Sequence, residues 1–188
     1  MNYIKLDKIN SKVKMLAGKK QYYFGKLIPN TKVMFIAEMP TQVPQNIWHQ
    51  SKNFEYFEHS NTDEKFIEIL QKHGFGGCYL TDIIKTATEA RRPTKRECKE
   101  FVPLLLNEIE IIKPHLIIAL GRSAEKILKN KKIVGDLVDE YEIKYLRHPS
   151  SVWRIKHPRK KLTIAQKWNI YELQIKKLQS KRIKTCGR

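Results

Sequence analysis

Four short apolar runs, Val33 to Ala37, Cys78 to Ile84, Leu116 to Leu120 and Ile143 to Leu146, punctuate the chain and are mostly β-branched or aromatic. Runs of that length and composition are buried strands. Between them the apolar spacing becomes helical. Asp63 to His73 carries Phe66, Ile67, Ile69 and Leu70 behind candidate caps at Asn61 or Thr62. Thr94 to Ile112 carries Phe101, Leu104, Leu105, Ile109 and Ile112, with Pro114 just past its end. Gly121 to Lys129 is a shorter helix, and Ile164 to Lys181 sets Ile164, Trp168, Tyr171, Ile175 and Leu178 on one stripe with lysines opposite. Strands alternating with helices predict βαβ units, and so a three-layer α/β/α sandwich around a four-stranded parallel sheet.

A chain of 188 residues fits one such domain, with enough length to bury a core and leave loops for a site. It contains no repeat and no Gly/Ser- or Pro-rich linker; the basic tail from Lys176 to Arg188 is expected to fray. Thr41 to Ser60 reads as a long irregular loop, of a length that in compact domains usually serves function or is disordered.

The 37 Lys and Arg against 19 Asp and Glu give a formal charge of +18, which favours an anionic partner such as DNA, RNA or an acidic lipid surface. Genome-wide bias toward Lys also raises such a count, so charge alone does not choose. Cys78, Cys98 and Cys186 are odd in number and far apart, which argues against a disulfide framework or paired zinc ligands and for a reducing compartment. No apolar stretch reaches signal-peptide or membrane-spanning length. A soluble, cytoplasmic, nucleoid-associated monomer without a membrane partner is the expectation.

In a parallel sheet, ligands bind beyond the carboxyl ends of the strands. The first run is followed by Glu38-Met39-Pro40-Thr41, the third by Gly121-Arg122-Ser123 and the fourth by Arg147-His148-Pro149-Ser150; Thr81 and Asp82 lie in the second, with Lys85 beyond. An acid, a histidine and a Gly-led helix start together describe an anion-binding site with a potential acid/base pair. Taken singly, Glu38 also reads as a cap, His148 as a turn residue and Gly121 as a helix starter.

Ala37-Glu38-Met39-Pro40-Thr41, Leu80-Thr81-Asp82-Ile83-Ile84-Lys85, Arg91-Arg92-Pro93, Pro114 to Gly121 and His148-Pro149-Ser150, in that order, resemble the uracil-DNA glycosylase superfamily. The nearest branch is the one whose members often carry an iron–sulfur cluster. The resemblance covers about Lys32 to Arg154 and implies a monofunctional DNA N-glycosylase of base excision repair, acting on DNA that contains a damaged base. In the branch's first motif Glu38 and Pro40 match while Ala37, Met39 and Thr41 depart, and two further departures bear on function. Thr86 and Phe101 stand where two cluster cysteines would be and the N-terminal pair is missing, so no cofactor and no metal are expected. Asp82 replaces the Asn of uracil-reading members. An amide donates and accepts, as the O4 and N3–H edge of uracil requires, whereas an ionised carboxylate only accepts. The mismatch costs on the order of 1–3 kcal/mol, which points toward hypoxanthine or xanthine unless Asp82 holds a proton or turns away as a cap.

The resemblance also implies roles. The damaged nucleotide is flipped out of the stack. His148 donates to the developing oxyanion of the leaving base, and Glu38 positions water or stabilises the sugar cation, a task in which Asp82 can share. Met39 stands where the best-known uracil enzymes have a catalytic Asp, so reliance falls on Glu38 or activity is weak. Met39, Pro40, Phe54 and Asp82 would line the base pocket, with Trp48, Tyr56 and Phe57 competing with Phe54 for the stacking position. Val152 and Trp153 occupy the wedge position. Lys85, Arg91, Gly121, Arg122, Ser123, Arg147, Ser150, Ser151 and Arg154, with Lys156, Arg159 and Lys160 flanking the last loop, would contact DNA. The rival readings are a non-catalytic nucleic-acid-binding module on the same fold and an enzyme of free nucleotide monomers.

Overall fold

The computed structural model describes residues 2–23, 25, 32–40, 61–87 and 92–185. In chain order the elements are α1 (Asn2–Ala17), β1 (Val33–Ala37), α2 (Asn61–Lys72), β2 (Tyr79–Asp82), α3 (Lys95–Ile112), β3 (Leu116–Leu120), α4 (Arg122–Leu128), α5 (Lys131–Val134), α6 (Leu137–Glu140), β4 (Ile143–Leu146), a 3-10 turn (Pro149–Arg154) and α7 (Ile164–Thr185). They gather into two compact units, each built from two stretches of chain: Met1–Tyr56 with Gly77–Tyr145, and Phe57–Gly76 with Leu146–Arg188.

The first unit is organised by a parallel sheet of order β2-β1-β3-β4. β1 pairs Ala37 with Asp82 on one side and Ile36 with Ala119 on the other. Every residue of β1, β2 and β3 is buried, so the sheet is covered on both faces. Such a sheet is the middle layer of an α/β/α sandwich. On one face Met34, Ile36, Ile117 and Ala119 pack into a core with residues of α1, α3, α4, α5 and α6.

Helix α1 was not anticipated. Its Leu6, Ile9, Val13 and Ala17 are buried at helical spacing, and Gly18 closes it with a left-handed φ of 58°. α3 begins as expected: Thr94 accepts from the Glu97 amide while the Glu97 carboxylate accepts from the Thr94 amide, a reciprocal capping box. It ends on Lys113 in the left-handed region, just before Pro114. β2 is shorter than its apolar run, because Ile83 and Ile84 belong to the turn that follows. The tail expected to fray from Lys176 is helical through Thr185.

On the apolar face of α3, Glu108 is fully buried together with Lys85. The Lys85 ammonium lies 2.8 Å from Glu108 Oε2, donates to the Asp82 carbonyl at 2.7 Å and also donates to Thr81 Oγ1. Thr81 in turn donates to Glu108 at 3.0 Å. Burial raises the Glu108 pKa, and Lys85 and Thr81 oppose that rise. Lys85 therefore serves the core and does not meet DNA phosphate, contrary to the sequence expectation.

The second unit packs α2, the 3-10 turn and α7. Tyr171 is wholly buried, with its ring edge-on to Phe66 and Trp168 at centroid distances of 6.2 and 5.6 Å. Glu172 pairs with Lys72 and His73.

Removing one partner of a buried pair strands the other charge, so Lys85→Met is expected to cost about 3–5 kcal/mol in urea unfolding. Lys85→Met with Glu108→Leu is expected to recover most of that loss. Equal destabilisation by the single and double variants would show that the pair is not what holds this part of the core.

Candidate active site

The chain leaves β1 toward β2 on one side, whereas β3 leads to β4 on the other. The carboxyl ends of β1 and β3 therefore flank the topological switch point of the sheet, where α/β proteins open a crevice. Glu38 is the first residue past β1. Its carbonyl accepts from the Ile84 amide at 3.0 Å, and its carboxylate accepts a hydrogen bond from Ser123 Oγ in the first turn of α4. Gly121 makes the tight exit from β3 with φ 95°, a conformation that side chains rarely allow. Glu38 and Ser123, both read from sequence as site residues, are thus brought together. Met39 is half-buried and packs on the core of the first unit, and Pro40 is buried.

Asp82 is buried at the end of β2. Its neighbour Tyr23 has a phenol pushed up to about 12, first by burial and then by the charge of Asp82. Tyr23 lies close to the specificity candidate and was missed in the sequence, where nothing marks it apart from other tyrosines. Phe54 and Arg91, with the rivals Trp48, Tyr56 and Phe57, lie outside the described residues. Arg122 is exposed, pairs with Glu125 at 2.9 Å and stacks over the Tyr145 ring.

In the second unit the His-Pro-Ser segment forms a rigid turn. His148 caps the 3-10 helix: its Nδ1 accepts the Ser150 amide at 3.3 Å and lies 2.8 Å from Ser150 Oγ. A backbone N–H can only donate, so Nδ1 must be the unprotonated nitrogen and Nε2 carries the hydrogen. Burial depresses the imidazole to about 4, which makes it a neutral N–H donor near pH 7. Ser151 donates to the His148 carbonyl through its amide at 3.0 Å and its hydroxyl at 2.8 Å. Pro149 fixes the first helical position. The Tyr171 hydroxyl donates to the Arg147 carbonyl at 2.8 Å, anchoring the turn from α7.

The two wedge candidates separate. Val152 is buried and serves the packing of its own unit, so its expected contact with DNA is corrected. Trp153 is 58% exposed. Arg154 lies over its ring at 4.7 Å, and Lys167 donates to its carbonyl.

The two positions that the resemblance assigns to cluster ligands carry no thiolate. Phe101 is buried in the apolar core and Thr86 is buried without a thiolate to offer. Among the described residues no group of three or more His, Cys, Asp or Glu is arranged to hold a metal ion, and no helix is long and apolar enough to cross a membrane.

The chain thus sets an acid at the switch point of a parallel sheet in its first unit and carries a locked imidazole in its second. Residues 24–172 match the model of the uracil DNA glycosylase superfamily, and the chain belongs to that family. Among solved structures it is similar to wild-type SMUG2 from Pedobacter heparinus, with 12% identity over 92% of this chain and 98% of that one and a TM-score of 0.50. At that identity the likeness is one of fold. No curated protein matches the chain.

The depressed imidazole has a measurable consequence. The unfolded chain takes up a proton on His148 near the ordinary 6.5, whereas the folded chain waits until about 4. Between those values the unfolded state binds more protons, so this contribution to stability is present above 6.5 and is lost as pH falls toward 4. NMR titration is expected to place the His148 midpoint near 4, and His148→Asn to flatten the loss of stability in that window. A midpoint at 6.5 would remove the case for a permanently neutral donor.

Proposed function

We propose that the protein is a monofunctional DNA glycosylase of base excision repair, hydrolysing the N-glycosidic bond of a flipped, deaminated base. The observation that supports it most is the His148 imidazole, neutral and oriented by Ser150 so that Nε2 carries the hydrogen. Cleavage leaves negative charge on the departing base and positive charge on the sugar, so pre-aimed dipoles and charges provide the catalysis. In this reading Nε2–H donates to the base oxyanion without becoming an acid. The Glu38 carboxylate, steadied by Ser123, orients water or stabilises the sugar cation. The hydrogen bond from Ser123 restricts the rotation of Glu38, lowering the entropy lost when substrate binds.

Asp82 would read the base. An ionised carboxylate there accepts hydrogen bonds, favouring a base edge with a donor, such as N1–H of hypoxanthine or xanthine, over uracil O4. Trp153, exposed and held through its backbone, is the group placed to enter the stack as the nucleotide leaves. Arg122, Ser123, Arg147, Gly121, Ser150, Ser151 and Arg154 remain the proposed DNA contacts. The protein would act as a cytoplasmic, nucleoid-associated monomer. The reading of a non-catalytic DNA-binding module draws on Met39, whose thioether packs on the core and offers the reaction no second carboxylate.

Labelled duplexes carrying uracil, hypoxanthine or xanthine, incubated with enzyme and then cleaved with alkali at abasic sites, test the proposal. Wild type is expected to release at least one base, with hypoxanthine or xanthine preferred to uracil. Glu38→Ala and His148→Ala are each expected to lose about 10²-fold or more, and Asp82→Asn is expected to raise uracil release relative to the purines. Salt-sensitive binding with no abasic product from any substrate would leave the binding-module reading.

A further inference from the structure

A cleft of about 610 Å³ opens in the first unit between the N-terminal half of α3 and the α4–α5 segment, with Glu38 and Ser123 in its wall. None of its cations was singled out from the sequence as a DNA contact. The volume is that of a site for a small organic ligand, and its lining has two distinct parts. Val102 and Leu106 from α3 with Ile127 from the opposite side, buried or half-buried, make an apolar floor; the exposed Lys95, Lys99, Lys126 and Lys132, with the exposed Ile133, stand around it.

These four lysines differ from their neighbours. Arg96 is paired with Glu100, Arg122 and Lys129 with Glu125, and Lys131 with Asp136 and Asp139. Among the described residues no carboxylate forms an ion pair with Lys95, Lys99, Lys126 or Lys132. Lys95 and Lys99 lie one turn apart on α3, and both line the cleft. Like charges gathered round one opening repel one another and are best compensated by an anion from outside. An apolar floor inside a cationic rim matches an anion that carries a flat apolar body, which is the chemistry of a nucleotide with its base down and its phosphates out. Glu38, the acid of the cleft, repels phosphate from its own end and so orients the ligand.

We infer that this cleft is a second nucleic-acid subsite, holding an unpaired nucleotide and its flanking phosphates from a DNA single strand. The inference rests on the DNA-directed reading for the choice of a strand over a free nucleotide, and no excision step is needed to test it. A strand seated here leads away from Glu38 along α3, so it would give the protein affinity for single-stranded or locally opened DNA.

The test uses the full chain and an undamaged fluorescent oligothymidylate of about ten nucleotides, within the usual span of single-strand sites. Lys99→Glu with Lys126→Glu is compared with Lys8→Glu with Lys12→Glu, which makes the same change of charge on the exposed side of α1. The cleft pair is expected to weaken binding at least about 10-fold at physiological salt and to shrink the logarithmic salt slope by about 1.4, the loss of two single-strand phosphate contacts. The α1 pair is expected to change both far less. Equal losses in the two pairs would overturn the inference, leaving only diffuse attraction. A strand of abasic spacers should bind more weakly than oligothymidylate; equal binding would remove the base from the cleft. Deoxythymidine monophosphate binding as tightly as the strand would overturn the assignment to a strand.

Cys98 lines the same cleft and supplies a local readout on the wild-type protein. Burial and the charges of Glu97 and Glu38 push its thiol up, so alkylation is run under mildly alkaline conditions and quantified by peptide mass. Oligothymidylate is expected to protect Cys98, and unchanged labelling at saturating strand would sink the proposal even if the lysine variants misfolded. Because undamaged DNA is the probe, an inactive enzyme whose cleft binds would refute excision alone, and an active one whose cleft does not would refute this inference alone.

Discussion

An ammonium taken wholly out of water must find its countercharge and its hydrogen-bond acceptors before the fold can close around it, and Lys85 finds all of them on β2 and α3. Glu108 supplies the charge, Thr81 a hydroxyl and Asp82 a carbonyl. The cost of burying two ions is repaid only when every partner is in place. The carboxyl end of β2 is therefore held to the C-terminal half of α3, and Asp82 is fixed at its backbone. β1 is registered to that end through Ala37, so Glu38 emerges at a set position beside β3. The sheet edge on which the proposed chemistry depends is thus braced from within the core.

The sheet was legible because β1 and β3 are buried throughout and read as unbroken apolar runs, whereas β4 carries Lys144 and buries only Leu146. Val33–Ala37, Leu116–Leu120 and Ile143–Leu146 begin and end where the residues change character. The second run overshot because Ile83 and Ile84 are buried by a turn, and apolarity reports burial rather than strand geometry. α1 is masked in the sequence by its lysines: Leu6, Ile9, Val13 and Ala17 keep helical spacing, but the charged residues between them dilute the apolar stripe. Lys85 was misplaced for a related reason. A single lysine past a strand looks solvated, and the contrary signal lay 23 residues away, where Glu108 interrupts the apolar stripe of α3.

Glu38 and His148 could be named from sequence because each follows a strand in a short, recognisable segment. What they do with their hydrogen bonds could be read only in part. The partner of His148 is two residues on, a local relation that turn chemistry makes accessible. Ser123 and Tyr171 act across 85 and 24 residues, and separations of that kind depend on how the chain returns. The same limit applies to the cleft, whose lysines are scattered from Lys95 to Lys132 and share one opening only after α3, α4 and α5 have packed.

The interleaving of the two units matters during synthesis. The first can assemble its sheet once the chain has been made to Tyr145, but the second joins Phe57–Gly76 to Leu146–Arg188. Its early stretch must wait, unpartnered, while the intervening residues are translated. The His148 turn in turn lacks its anchor until Tyr171 has cleared the ribosome. A nascent or prematurely terminated chain can therefore own a nearly finished sheet and its Glu38 while the His148 turn is still unanchored.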